Sequence, residues 1–177
     1  SVWNPVLDKK IAERLRASIV FTGPMLARVG KVAFPFPGGC VLGERSIDVF
    51  LNGYKAMGAR IVEDDSYFTI EIAGKLQGAR IVFPLVSVTG TETLMMAAVL
   101  AEGETILENA ALEPEIAYLA DFLNSCGAHI EGAGTSTIRI VGGDLLQAKG
   151  KRYQTPPDRI EAGSFIILAA LAGDDVT

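Results

Sequence analysis

Apolar residues recur every three to four positions across residues 46–57, and this spacing predicts an amphipathic helix. Ser46 is its predicted N-cap, because a serine hydroxyl can accept a hydrogen bond from an unpaired N–H of the first turn. Gly58 follows as the predicted C′ residue, since a glycine readily adopts the left-handed conformation that ends a helix. A second helix is predicted over residues 113–126, with Pro114 in its first turn and Gly127 after its end.

Longer apolar runs predict two buried helices, and alternating runs predict strands. Residues 15–28 and 91–101 have helical length, and the Gly23-Pro24 pair is expected to distort the first of these helices. Period-two alternation or β-branched composition predicts strands at residues 31–36, 67–72, 79–83, 104–108 and 136–140.

The chain repeats itself at a long period. The turn Gly58-Ala59-Arg60-Ile61 recurs as Gly127-Ala128-His129-Ile130, 69 positions later. In both copies a helix precedes the turn, and a short strand and an alternating strand follow it. A third copy is indicated because residues 96–101 reappear as residues 168–173, and the sequence ends within that copy.

This arrangement favours an α/β architecture in which helices pack inside a ring of sheets. It argues against the other common α/β architecture, a doubly wound parallel sheet. An unfinished third unit would expose apolar helix faces and unpaired strand edges. The expectation from the sequence is therefore a fragment of a longer protein, or half of an assembly that completes it.

Composition narrows the class of protein. Of 177 residues, 49% are hydrophobic and 21% charged, which excludes a disordered or collagen-like chain. The net charge of −5 gives no general attraction to nucleic acid or to an anionic membrane. Every apolar run falls well short of the ~18 residues that span a bilayer. Cys40 and Cys126 lie in unrelated sequence contexts, which favours reduced thiols in the cytoplasm over a disulfide. The chain has a single histidine, His129, which argues against a zinc cluster or a Ser/His/Asp triad.

Residues 35–46 contain the strongest candidate for chemistry. Two prolines and three glycines predict a loop that presents Cys40 just before the helix near Ser46. Arg45 and the N–H groups of that helix start would together attract an anion, and the same positive field would lower the pKa of the thiol or make it a proton donor. The pattern alone also fits an inert cysteine in a loop, which is the commoner case. Cys126, at the end of an apolar helix, is interpreted as structural.

A family resemblance is carried by several motifs in the same order. Pro37-Gly38-Gly39-Cys40 with Gly43 and Arg45 closely resembles the UDP-N-acetylglucosamine 1-carboxyvinyltransferases, a family of enolpyruvyl transferases. The resemblance covers essentially the whole chain. Its other motifs are Leu15-Arg16-Ala17-Ser18-Ile19, Gly23-Pro24, Leu100-Ala101-Glu102-Gly103, Glu108-Asn109-Ala110-Ala111, Glu113-Pro114-Glu115-Ile116 and Asp158-Arg159-Ile160-Glu161-Ala162-Gly163.

The resemblance implies an activity and roles for particular residues. The activity is transfer of enolpyruvyl from phosphoenolpyruvate to the 3′-hydroxyl of UDP-N-acetylglucosamine with release of phosphate, the first committed step of peptidoglycan synthesis, without a metal or other cofactor. Cys40 matches the general acid at the phosphoenolpyruvate methylene and the target of fosfomycin, and Arg45 matches a contact to both substrates. The other implied contacts to the nucleotide sugar are Arg16, Ser46, Ile47, Asp48, Val49, Ser87 and Val88.

Three departures from the family pattern fall among the implied contacts to the uridine diphosphate. Leu85 stands where some members have a lysine, Ser46 replaces a proline, and Thr89-Gly90 stands where Gly-Ala is commoner.

The resemblance also implies a fold, the inverse α/β prism of EPSP synthase-like proteins, incomplete in this chain. On that template residues 1–157 are two repeat units of the first prism domain, which carries the catalytic loop, and residues 158–177 begin a second domain. Further catalytic residues of the family belong to regions outside this sequence. The isolated chain is therefore expected to be inactive, with the remainder of the enzyme or self-association completing it.

Two alternatives stay open at this stage. A 5-enolpyruvylshikimate-3-phosphate synthase would share the architecture, although the cysteine loop argues against it. A truncated structural or nucleotide-sugar-binding module without catalysis would also carry these motifs.

Overall fold

The computed structural model describes residues 4–38 and 46–173. Within these ranges the helices are α1 (Lys9–Ala12), a 3₁₀ helix (Arg16–Phe21), α2 (Thr22–Val29), α3 (Asp48–Ala56), α4 (Val88–Ala98), α5 (Pro114–Ser125) and α6 (Arg159–Ala172). The strands are β1 (Lys31–Phe34), β2 (Arg60–Glu63), β3 (Phe68–Glu71), β4 (Arg80–Val82), β5 (Glu104–Glu108), β6 (His129–Glu131) and β7 (Thr137–Val141).

Two sheets repeat one topology. The first has the order β1-β3-β2 and the second the order β4-β5-β7-β6. The last strand of each unit pairs antiparallel with both of its neighbours. Strand β4 adds to the second sheet in parallel, and Val6 makes a parallel bridge to Ala33 at the equivalent edge of the first sheet. The repeat found in the sequence is thus a structural repeat, with β2 and β6 as matching strands.

Helix α4 lies at the centre of the molecule. Seven of its residues are buried, among them Leu94, Met95 and Ala97, so both sides of the helix contact protein. Strand β7 instead alternates exposed and buried residues, as expected for a sheet with one packed face and one face in water. The central helix α4 therefore lies inside and the sheets lie outside, as in the predicted α/β prism-like class.

Three helix predictions were wrong in detail. Helix α3 begins at Asp48 with Ile47 at the N-cap position, so Ser46 is not its N-cap. The predicted helix over residues 15–28 divides at Thr22 into a 3₁₀ helix and α2. Pro24 is accommodated because it lies in the first turn of α2, where its missing N–H would have no helical partner. Helix α4 begins three residues earlier than predicted, with Ser87 as its N-cap.

The segment between β7 and α6 runs back along α5. The backbone N–H of Gln147 donates to the Cys126 carbonyl at 2.9 Å, and Lys151 Nζ donates to the Ser125 carbonyl at 2.7 Å. The hydroxyl of Tyr153 reaches the carbonyl of Tyr118 near the middle of the helix at 2.9 Å. Helix α6 follows, and none of its residues is buried.

In the described residues, no helix combines the length and the apolar character needed to cross a membrane. The assignment of residues 1–157 and 158–177 to two domains stays a prediction.

Candidate functional site

Arg16 and Ser46, which are 30 positions apart, meet at one hydrogen bond. Arg16 begins the 3₁₀ helix, where its side chain is partly buried. Its Nη2 atom donates to the backbone carbonyl of Ser46 at 3.1 Å. This bond places a guanidinium, which stays charged at any physiological pH, beside the turn that leads into α3.

The side chain of Ser46 fixes that turn although it does not cap α3. Its hydroxyl donates to Asp48 Oδ2 at 2.7 Å and accepts the backbone N–H of Asp48 at 3.0 Å. Ile47 is 4% exposed, so its side chain belongs to the core and only its backbone is available to a ligand. At the start of α3, Ile47 can therefore contact a ligand only through its backbone, whereas Ser46 and Asp48 also have exposed side chains.

The start of α4 lies beside the start of α3. Ser87 Oγ accepts the N–H of Gly90 at 3.0 Å and caps α4. A methyl group at Gly90 would lie 3.3 Å from Val49 Cγ1, so the first turns of the two helices are in close proximity. The structure thus brings three separate predicted segments together: Arg16, residues 46–49 and residues 87–88.

Such an arrangement is suited to a multiply anionic ligand. The first four N–H groups of a helix have no intrahelical partners, and the helix dipole adds about half a positive charge at that end. Two adjacent helix starts and one guanidinium concentrate positive potential on an otherwise acidic chain. Asp48 is the opposing charge, and its carboxylate accepts a hydrogen bond from Ser46.

Cys40 and Arg45, the predicted acid and anion clamp, lie outside the described residues. The last described residue before them, Gly38, donates its N–H to the Ala12 carbonyl at 3.1 Å. A side chain at Gly38 would collide with the carbonyl of Glu13, so only glycine fits there. Both described borders of residues 39–45 are therefore held by the short stretch from Ala12 to Arg16.

Sequence reasoning missed the contacts of Thr91. Its hydroxyl donates to the Ser87 carbonyl at 2.8 Å and accepts the N–H of Ala111 at 3.1 Å. The first of these bonds could have been anticipated, because a threonine four residues after an N-cap often bonds back along a helix. The second joins residues 20 positions apart, and no local pattern reports it.

Acidic groups cluster on another side of α4. Burial raises the pKa of the Glu92 carboxyl, and the negative charge of Glu115 on α5 raises it further. Glu115 is itself bound by Arg159, whose Nε and Nη2 donate to its two oxygens at 3.0 and 2.8 Å. This hydrogen bonding lowers the pKa of Glu115. The described residues contain no group of three histidine, cysteine or acidic side chains that could hold a metal ion.

Comparison with known proteins identifies relatives over the full length of the chain. The model of the EPSP synthase (3-phosphoshikimate 1-carboxyvinyltransferase) family matches residues 4–177. A UDP-N-acetylglucosamine 1-carboxyvinyltransferase of Aeromonas hydrophila is 46% identical over 177 residues, and one of Acidobacterium capsulatum is 50% identical over 173 residues. These alignments cover 100% and 98% of the chain but 42% and 39% of the relatives. The chain thus spans about two fifths of the relatives' length.

Solved structures show the same fold. The enolpyruvyl transferase NikO from Streptomyces tendae superimposes with a TM-score of 0.76 at 18% identity, over 97% of this chain and 40% of that protein. An EPSP synthase from Acinetobacter baumannii gives a TM-score of 0.64 at 25% identity, over 88% of this chain and 34% of that protein.

Proposed function

Because this chain belongs to the EPSP synthase family, we propose that it is the nucleotide-sugar-binding part of an enolpyruvyl transferase that acts on UDP-N-acetylglucosamine. The complete protein would transfer enolpyruvyl from phosphoenolpyruvate to the 3′-hydroxyl of that sugar, release phosphate and so serve peptidoglycan synthesis in the cytoplasm. The observation that carries the proposal is the convergence of Arg16 with the starts of α3 and α4. The names of the relatives at 46% and 50% identity favour this acceptor over shikimate 3-phosphate.

The chemistry assigns different tasks to different residues. Protonation of the phosphoenolpyruvate methylene makes the neighbouring carbon electrophilic, and the sugar oxygen adds to that carbon as its hydroxyl proton passes to a base of the complete protein. Loss of phosphate and of one methyl proton then restores the double bond in the product. Cys40 is the proposed acid, and Arg45 is the proposed cation beside the phosphate. Arg16 with the backbones of residues 46–49 and 87–88 would hold the diphosphate and uridine.

Titration of the isotopically labelled 177-residue chain with UDP-N-acetylglucosamine tests the binding proposal. Amide resonances of residues 46–49 and 87–88 should shift, and shikimate 3-phosphate should leave them unchanged. Arg16→Gln should weaken binding by roughly tenfold to hundredfold, because a charge-assisted hydrogen bond contributes about 1.5–3 kcal/mol. Arg14→Gln, at an exposed arginine two positions earlier, is the matched control and should bind like the wild type.

Two results would contradict this assignment. One is the absence of shifts at both helix starts when the nucleotide sugar is added in excess. The other is an equal loss of affinity in the Arg14 and Arg16 variants, which would indicate a general effect of net charge.

Fosfomycin labelling tests the assignment of the acid. Incubation of the chain with fosfomycin and UDP-N-acetylglucosamine should give a single covalent adduct, which peptide mass spectrometry would locate at Cys40. Cys126 is the internal control, because it is the C-cap of α5 and not one of the residues assigned to the proposed site. An adduct on Cys126 in place of Cys40 would overturn the role proposed for Cys40.

A phosphate-release assay separates an enzyme from a binding module. We expect that the 177-residue chain binds the nucleotide sugar without releasing phosphate from phosphoenolpyruvate, because it spans only about two fifths of the relatives' length. A chimera in which this chain replaces the matching 177 residues of the Aeromonas hydrophila relative should release phosphate. A folded chimera that binds both substrates without releasing phosphate would favour the module.

A further inference from the structure

Thr91 lies behind the proposed subsite, and its hydroxyl joins two parts of the molecule. It is 0% exposed, so no ligand can reach it. It donates to the carbonyl of Ser87, the N-cap of α4, and it accepts the N–H of Ala111 in the connection between β5 and α5. A single oxygen therefore uses its hydrogen and a lone pair to tie the start of α4 to a distant loop.

The bond to Ser87 acts on the residue that would contact the ligand. The carbonyl of Ser87 receives the Thr91 hydroxyl, while its side chain accepts the N–H of Gly90. Both groups of Ser87 are thereby fixed in orientation. The carbonyl also accepts the backbone N–H of Thr91 at 2.9 Å, so it is shared between two donors on one residue.

The bond to Ala111 fixes the start of α4 relative to a segment outside that helix. Ala111 is fully buried, and a buried N–H without a partner costs about 1–3 kcal/mol. Loss of the Thr91 hydroxyl would leave this N–H without its partner, and the connection would have to move to find another. The start of α4 and the β5–α5 connection are thus coupled through one side chain.

We propose that Thr91 is a positioning residue of the nucleotide-sugar subsite, holding Ser87 and Val88 in the orientation that binds the ligand. This inference rests on the proposed function. It predicts that the hydroxyl, and not the volume, of residue 91 determines affinity. Thr91→Val keeps the shape and removes the hydroxyl, whereas Thr91→Ser keeps the hydroxyl and removes a methyl group.

Thr93 provides a matched control on the same helix. It is also 0% exposed, and among the described residues its Oγ1 has no hydrogen-bond partner. Thr93→Val therefore removes a buried hydroxyl of the same kind without removing a bond. Any effect of the Thr→Val exchange on helix propensity or on packing should be similar at the two positions.

The experiment measures the affinity of each 177-residue variant for UDP-N-acetylglucosamine by calorimetry, together with amide hydrogen exchange. Thr91→Val should weaken binding about fivefold, the equivalent of one neutral hydrogen bond. It should also speed exchange at Ala111 and Gly90. Thr91→Ser and Thr93→Val should bind within about twofold of the wild type, because neither loses that bond. Wild-type affinity in Thr91→Val, or equal losses in Thr91→Val and Thr93→Val, would overturn the inference.

Failure of the proposed function would look different. The wild-type chain itself would then not bind UDP-N-acetylglucosamine, whereas exchange at Ala111 and Gly90 would still report whether the Thr91 hydroxyl holds the two segments together. Unchanged exchange at both amides in Thr91→Val would reject the positioning role whatever the wild type binds.

Discussion

At the scale of single residues, buried hydroxyl groups form a short chain of hydrogen bonds between α2 and α3. Thr22 Oγ1 donates to the Ile19 carbonyl at 2.6 Å and lies 2.6 Å from the hydroxyl of Tyr54. Because the one hydrogen of Thr22 goes to Ile19, Tyr54 must be the donor in the second bond. Tyr54 is completely buried, and burial raises the pKa of its hydroxyl, so it keeps the proton that this bond needs.

This direction predicts unequal effects of removing the two partners. Thr22→Val should lower the free energy of unfolding by about 2–3 kcal/mol, since it leaves the buried Tyr54 hydroxyl without an acceptor. Tyr54→Phe should cost only about 1 kcal/mol, because Thr22 still donates to Ile19. Urea unfolding with an unchanged m-value measures both. A larger loss in Tyr54→Phe than in Thr22→Val would show that the bond runs the other way.

Glu92 gives a second prediction, on pH dependence. Its raised pKa means that the folded state disfavours the charged carboxylate. The contribution of Glu92 to stability is complete below its unfolded pKa near 4.5 and is lost as pH rises through the folded value. Glu92→Gln should therefore gain stability relative to the wild type between pH 4 and pH 7, as measured by urea unfolding at the two pH values.

Glu63→Gln, at an exposed position on β2, is the control for this measurement. Its stability difference from the wild type should change less with pH. A Glu92→Gln difference that is the same at pH 4 and pH 7 would contradict the buried-carboxylate explanation.

At the scale of secondary-structure elements, glycines allow the central helices to approach closely. A Cβ atom at Gly23 of α2 would collide with the backbone carbonyl of Thr93 on α4. One at Gly53 of α3 would collide with the side chain of Leu94, also on α4. The carbonyl cannot move without its helix, whereas the end of a leucine side chain can change rotamer.

Alanine substitutions should rank accordingly. Gly23→Ala should destabilise the chain by more than about 2 kcal/mol, and Gly53→Ala should cost less. Gly163→Ala on α6 has nothing within 4 Å of the new methyl group. It should be neutral or stabilise by up to about 1 kcal/mol, from helix propensity alone. Thermal or urea unfolding gives the ranking, and a neutral Gly23→Ala would contradict the close approach of α2 and α4.

The elements that the sequence predicted best are those that end at glycine or begin at proline. Helix α5 was predicted to within one residue at each end, because Pro114 and Gly127 define its limits locally. The start of α4 was missed, since Val88, Thr89 and Gly90 are poor helix formers and only the Ser87 cap and tertiary packing make them helical. The hydrogen bond between Arg16 and Ser46 could not be predicted from local patterns either, because the two residues are 30 positions apart. Only the family resemblance suggested that they belong to one site.

At the scale of the whole molecule, helix α6 differs from the other long helices because none of its residues is buried. Helix α6 carries Phe165, Ile166 and Leu171 at 62%, 68% and 82% exposure, although its match in the repeat is the buried helix α4. The ion pair between Arg159 and Glu115 and the hydrogen bond from Tyr153 attach it to α5. The sequence repeat indicated a helix here, because the match between residues 96–101 and residues 168–173 lies in the order of the residues and not in any single contact.

Weakening this attachment should free α6 without unfolding the rest. Glu115→Gln should speed amide hydrogen exchange in the first turns of α6, while the global free energy of unfolding falls by less than about 1 kcal/mol, as is usual for exposed ion pairs. Glu131→Gln disturbs a different exposed ion pair, with Arg139 at 3.7 Å, and should leave exchange in α6 unchanged. Equal exchange in both variants would show that the Arg159 pair does not secure the helix.

Residues 39–45 are bordered by Gly38 and Ser46, and both borders are fastened to the stretch from Ala12 to Arg16. Because both borders are bound to the same stretch of chain, a replacement segment of equal length would begin and end at the same two points. These seven residues can therefore be replaced as a unit while the surrounding framework is left intact. The same property makes these seven positions a natural place to graft a reporter group.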